Sequence, residues 1–127
     1  DAIEEDTLAR TAILWLNYPN NPTAAVAPLS LFEHAAQLAR EYDFLVASDE
    51  AYTELWADEP PVSALQLEDW TNLVVFNTLS KRSSMTGYRS GFVCAPAAPS
   101  SPSNTRSLSR SVCKRPNHQV PMLESAL

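Results

Sequence analysis

At 127 residues, with 45% hydrophobic and 19% charged side chains, the chain has the composition of one globular domain with its own core, and it is short for a two-domain metabolic enzyme. The net charge of −6 is unevenly spread, with 14 acids against 5 bases in residues 1–94 and 1 acid against 4 bases in residues 95–127. An acidic body argues against nucleic acid as a partner, since phosphate backbones are bound by clustered Lys and Arg.

The longest apolar run, Ala12 to Leu16, falls far below the roughly 20 residues of a membrane-spanning helix, and the acidic start is unlike a leader peptide. No membrane association and a cytoplasmic location are the expectation. Cys94 and Cys113 have neither C-x-x-C nor metal-ligand spacing, so we read them as thiols, with no metal site.

In chain order, Ala12-Ile-Leu-Trp-Leu16 reads as a buried strand that ends in the turn-forming run Asn17-Tyr-Pro-Asn-Asn-Pro-Thr23. Pro28 then precedes Ser30-Leu-Phe-Glu33, which has the form of a capping box. Leu31, Ala35, Leu38, Ala39 and Tyr42 follow at helical spacing and predict an amphipathic helix of about three turns. Phe44 to Ser48 predicts a second strand ending at Asp49, Leu73 to Phe76 a third ending at Thr78 to Lys81, and Gly91 to Cys94 a fourth.

Strand, loop, helix, strand is the βαβ order, which places the first two strands parallel. Ligands of open α/β sheets bind beyond the carboxyl ends of the strands, where Asn21, Asp49 and Lys81 each fall. Residues 1–95 therefore read as one α/β body. Residues 96–127 hold five of the ten prolines and seven serines with little apolar periodicity, and are expected to pack poorly.

The segment from Asn77 to Gly91 carries the most chemistry. Thr78, Ser80 and Lys81 are followed by Arg89 eight residues past the lysine, a spacing suited to an amine that forms a Schiff base beside a phosphate held by a hydroxyl and a guanidinium. His34 lies off the apolar stripe and reads as exposed, His118 sits in the tail without a partner pattern, and Glu54 to Pro61 reads as a surface loop.

Three motifs carry a resemblance: Asn20-Asn-Pro-Thr23, Ser48-Asp-Glu-Ala-Tyr52, and Thr78-Leu-Ser-Lys-Arg82 through Gly87-Tyr-Arg-Ser-Gly91. In order and spacing they resemble the central part of the large domain of a fold-type I, class I/II aminotransferase, over roughly residues 8 to 95. The resemblance implies an α/β fold, an incomplete part of a three-layer α/β/α large domain with a mostly parallel sheet. It also implies pyridoxal 5'-phosphate as cofactor and a homodimer for the full-length protein. Lys81 would be the catalytic residue that holds the cofactor, its amine biased by the neighbouring Arg82. Asp49 would pair with the pyridine nitrogen, Asn21 and Tyr52 would reach the ring's phenolic oxygen, and Thr78, Ser80 and Arg89 would bind the phosphate. Ala24 stands where the family has a glycine, so a positive φ there would strain the loop.

The run from Leu79 to Val93 is most similar to succinyldiaminopimelate aminotransferases of bacterial lysine biosynthesis. That likeness implies glutamate as amino donor and N-succinyl-2-amino-6-oxopimelate as acceptor. Aspartate and broad-specificity aminotransferases share the motifs, a carbon–sulfur lyase of the same fold type uses the same lysine and aspartate, and a non-catalytic truncated fragment is a further reading. A complete family member also has an upstream phosphate loop, a tyrosine lent by the partner subunit and a C-terminal domain whose arginine grips the substrate carboxylate. This chain alone is therefore expected not to transaminate. Pro96 to Arg110 departs from the family's charged helix, as either a frame error or a divergent insertion would produce.

Overall fold

The computed structural model describes residues 3–96, and the backbone of two further strands at 110–114 and 119–126. The elements run α1 (Glu5–Ala9), β1 (Ile13–Asn17), α2 (Leu29–Tyr42), β2 (Leu45–Asp49), β3 (Leu73–Thr78), α3 (Leu79–Arg82), β4 (Ser90–Cys94), β5 (Arg110–Lys114) and β6 (Gln119–Ala126). Short 3-10 turns at Ala64–Gln66 and Thr86–Tyr88 punctuate the connections.

The sheet order is β1-β2-β3-β4-β6-β5. β1 and β2 are parallel, as are β2 and β3, while β4 returns antiparallel to β3. This is the α/β body expected from the strand–helix–strand order. The expectation of a poorly packed tail over 96–127 falls largely outside the described residues.

Alternation along the strands divides the sheet into two faces. Val46, Ser48, Leu73 and Val75 are buried, and all but Ser48 join Phe32, Ala35, Ala36 and Ala39 of α2 in one core cluster, with Leu14 and Leu16 packed against it. The opposite face carries Ile13, Trp15, Leu45, Ala47, Asp49 and Phe76. Ile13 and Trp15 are more than half exposed. The buried strand expected at Ala12 to Leu16 is thus corrected: β1 is the outermost strand, and only its α2-facing side is covered.

The capping box is also corrected. Pro28 is the N-cap, its backbone extended and its carbonyl accepting from Leu31 N at 3.1 Å, so the helix begins at Leu29. Ser30 and Glu33 then lie inside the helix, past the position from which a side chain can reach the first free amides. The buried stripe is accordingly Phe32, Ala35, Ala36 and Ala39, with Leu31 exposed and Leu38 and Tyr42 half-buried. At the other end, Asp43 adopts the left-handed conformation that closes a helix, and Asn72 Nδ2 donates to Ala39 O at 3.0 Å, tying the end of α2 to the start of β3.

Gly91 shows why β4 lies so close to β3. A Cβ there would stand 2.7 Å from Asn77 O, so only glycine fits opposite Thr78.

Candidate active site

The carboxyl ends of β1, β2 and β3 lie side by side, with Asn17 in register with Asp49 and Asp49 in register with Phe76. Asp49 and Thr78 are the last residues of β2 and β3, Asn21, Tyr52, Ser80 and Lys81 follow just beyond the strand ends, and Arg89 directly precedes β4.

The loop after β1 is a tight, self-bonded turn. Asn20 N donates to Ala25 O at 2.9 Å, Ala24 N donates to Asn20 O at 2.7 Å, and Thr23 Oγ1 donates to Asn20 Oδ1 at 2.7 Å. The Tyr18–Pro19 and Asn21–Pro22 peptide bonds are cis, and Ala24 has φ 57°. The left-handed conformation anticipated for the family's glycine position is therefore adopted by an alanine, at a cost of about 1 kcal/mol or more.

This turn presents Asn21, whose Nδ2 donates to Tyr52 Oη at 3.1 Å. Tyr52 in turn lies under Lys81, with Nζ 5.6 Å from the ring centroid. One residue from each strand end is thereby joined in a chain, Asn21 to Tyr52 to Lys81. Arg82, expected to bias Lys81, is itself held by Glu54 at 3.6 Å and by the Phe92 ring at 5.8 Å.

Thr78, Ser80 and Arg89 line a cavity of 180 Å³ with Asn77, Gly91 and Phe92. Thr78 is the N-cap of α3, its Oγ1 accepting from Ser80 N at 3.1 Å and donating to Ser90 O at 3.3 Å. Arg89 is exposed, takes a left-handed conformation, and donates from Nη1 to Thr86 O at 3.4 Å. Asp49 is half-buried and turns its Oδ1 back to accept from Ala51 N at 3.2 Å.

Two residues of the site escaped sequence reasoning. Glu50 is 1% exposed and bridges three donors: its Oε1 accepts from Ser48 Oγ at 3.2 Å and Ala64 N at 2.8 Å, and its Oε2 from Ser63 Oγ at 2.6 Å. Burial is the largest influence and pushes its carboxyl above the usual range, against the lowering effect of those bonds. It fastens the segment carrying Asp49 and Tyr52 to the turn at Ser63–Ala64. A carboxylate on the core-facing parity of a strand was the available signal. Asn17, the last residue of β1, accepts from Asn21 N at 3.1 Å and donates from Nδ2 to Asp49 O at 3.2 Å. His34 is exposed, and His118 lies outside the described residues.

The family model for aminotransferases of class I and II matches residues 1–127. LL-diaminopimelate aminotransferase of Nitratidesulfovibrio vulgaris is 45% identical over 94 residues, covering 72% of this chain and 24% of the relative. That of Aquifex aeolicus is 41% identical over 93 residues, with 72% and 24% covered. Among solved structures, an aminotransferase from Neisseria meningitidis aligns with TM-score 0.67 and 37% identity, covering 72% of this chain and 25% of that one. A probable N-succinyldiaminopimelate aminotransferase from Thermus thermophilus aligns with TM-score 0.70 and 34% identity, covering 73% and 26%. The chain spans about a quarter of the length of the curated relatives it matches.

Proposed function

Because this chain belongs to the class I and II aminotransferases, we propose that the protein it forms part of transfers an amino group between an amino acid and a 2-oxo acid with pyridoxal phosphate, and that Lys81 is its catalytic residue. The observation that carries the reading is the chain of contacts from Asn21 through Tyr52 to Lys81, built from three separate strand ends.

The donor set fits that cofactor. The guanidinium of Arg89 and the hydroxyls of Ser80 and Thr78 border one cavity and match a phosphate, Thr78 redirecting its proton from the long contact to Ser90 O. The carboxylate of Asp49 matches a ring nitrogen held protonated. Tyr52 Oη already accepts from Asn21, which leaves its own proton to donate to a phenolic oxygen, and Asn21 has a second amide proton for the same atom. When bound, the cofactor supplies an electron sink for the pair left at the substrate's α-carbon.

The chain's own residues do the rest. Lys81 Nζ would act as the base and acid that moves the proton between the substrate's α-carbon and the cofactor's aldehyde carbon within each half-reaction. The Tyr52 face beneath it restricts where the amine can swing. Asp49 would pair with the ring nitrogen, and Asn21 with Tyr52 would hold the ring's phenolic oxygen.

We read the substrate as a molecule of diaminopimelate skeleton with glutamate as donor. The likeness to LL-diaminopimelate aminotransferases and to a probable N-succinyldiaminopimelate aminotransferase supports that class, with N-succinyl-2-amino-6-oxopimelate as the acceptor of choice. The activity is proposed for a full-length protein, as a cytoplasmic homodimer, and not for this chain in isolation. The test is full-length protein with Lys81→Ala. The parent is expected to show an absorbance band near the visible edge that shifts on adding glutamate, and the variant to lose both the band and turnover. An identical spectrum in both proteins overturns the assignment. Product analysis with succinylated and free acceptor separates the two substrates, and separates amino transfer from β-elimination.

A further inference from the structure

We infer that Asn17 is a positioning residue that sets the cofactor loop after β1 against the cofactor aspartate on β2, an inference that rests on the functional reading above. The two residues proposed to hold the cofactor's phenolic oxygen and its ring nitrogen, Asn21 and Asp49, come from different strands. Parallel pairing between β1 and β2 ends at the Asn17 and Asp49 pair, and past it the backbone contributes a single bond, Tyr18 N to Asp49 O at 3.3 Å.

Asn17 adds a side-chain link to that backbone bond, with both ends of one amide. Its Oδ1 accepts from the backbone N–H of Asn21 at 3.1 Å and from Asn20 Nδ2 at 3.4 Å. Its Nδ2 donates to the carbonyl of Asp49 at 3.2 Å, an oxygen that also accepts from Tyr18 N at 3.3 Å. A rigid planar amide that accepts on one side and donates on the other fixes both partners at one separation, which an ionised carboxylate, having no donor, cannot do. The effect passes on, because Asn21 must be held for its Nδ2 to meet Tyr52 Oη at 3.1 Å. Asn17 thus reaches the cofactor residues on β1 and β2 directly, and Tyr52 through Asn21, without facing the cofactor itself.

The two arms of the amide separate in variants. Asn17→Ala removes both. Asn17→Asp keeps an acceptor for Asn21 N–H but sets an oxygen against Asp49 O. In the full-length protein, titrated with pyridoxal phosphate and followed by hydrogen exchange, Asn17→Ala is expected to weaken cofactor binding about tenfold or more, the equivalent of losing two hydrogen bonds. Exchange should quicken in the segment 18–25 and stay unchanged in α2. Asn17→Asp should keep the protection of 18–25 and still bind the cofactor more weakly.

Cofactor affinity of Asn17→Ala within about twofold of the parent, with unchanged exchange in 18–25, overturns the inference. Where Asn17→Ala loosens α2 as well, Asn17→Asp decides: weaker binding with 18–25 intact supports the role, and unchanged binding overturns it. A parent protein that takes up no pyridoxal phosphate sinks the functional reading, and this inference with it. A parent that binds it, beside an Asn17→Ala variant that binds it equally well, sinks only the role of Asn17.

Discussion

Trp15 and Phe76 stack at 5.3 Å between ring centroids, with an interplanar angle of 26°, although they sit on strands that do not touch. β2 lies between them, and two strand spacings amount to about 10 Å. The rings therefore close over β2 at Ala47, which is 1% exposed while belonging to the face that α2 does not cover. A small residue is required there. Ala47→Leu should force the pair apart and cost about 1–3 kcal/mol, read as a lower urea midpoint without a change in slope. An unchanged midpoint would mean that the rings do not meet over Ala47.

Glu50 makes stability depend on pH in a definite direction. Burial raises its carboxyl above the ordinary glutamate range, so the folded chain holds the proton more tightly than the unfolded chain does. The unfolded chain releases that proton first as pH rises. Stability is therefore fully present below the ordinary glutamate value, falls as pH rises through the raised value, and levels off above it. Glu50→Gln should flatten that decline. Urea midpoints of parent and variant across the acid range check it, and parallel curves would refute it.

The loop alanine offers a test of stored strain. Ala24 holds φ 57° because its N–H must reach Asn20 O at 2.7 Å. Ala24→Gly relieves the Cβ clash but frees the unfolded chain, and the net gain should be up to about 1 kcal/mol. Thermal unfolding of the pair measures it; a clear loss of stability would show that the alanine is not strained.

Gly91→Ala is expected to act at a distance from its own position. The new methyl would meet Asn77 O at 2.7 Å, a backbone atom that cannot swing aside, so β4 must move off β3. Overpacking of this kind costs about 1–3 kcal/mol. It should also open the cavity bordered by Thr78, Ser80 and Arg89, visible as weaker binding of inorganic phosphate to the full-length protein. Equal phosphate affinity in both proteins would count against that cavity as the anion site.

Much of this architecture was legible in the sequence because it is local. Continuous apolar runs mark β1, β2 and β3, the helical spacing of Leu31, Ala35, Leu38, Ala39 and Tyr42 marks α2, and Asn-Pro, Asp-Glu and Ser-Lys fall where the strand runs stop. Strand ends are where an α/β sheet exposes its chemistry, which drew attention to Asn21, Asp49 and Lys81, while the roles proposed for these and for Tyr52, Thr78, Ser80 and Arg89 came from the resemblance of three motifs to the family.

What pairing decides was not legible. Whether β1 is covered or outermost depends on which strand lies beside it, and a run of five residues carries no record of that. The start of α2 turned on which carbonyl closed the first turn, a matter of one hydrogen bond to Pro28 rather than of composition. Asn17 looked like one more turn residue, and Glu50 stood in its motif without a role of its own. Only the tertiary structure brings Asp49 O to the amide of the first, and Ser63 and Ala64, 13 and 14 residues further along, to the carboxylate of the second. The sequence by itself determined which residues stand at the strand ends. The fold decided which of them touch, because contacts between distant segments depend on register and chain crossing, which local pattern does not encode.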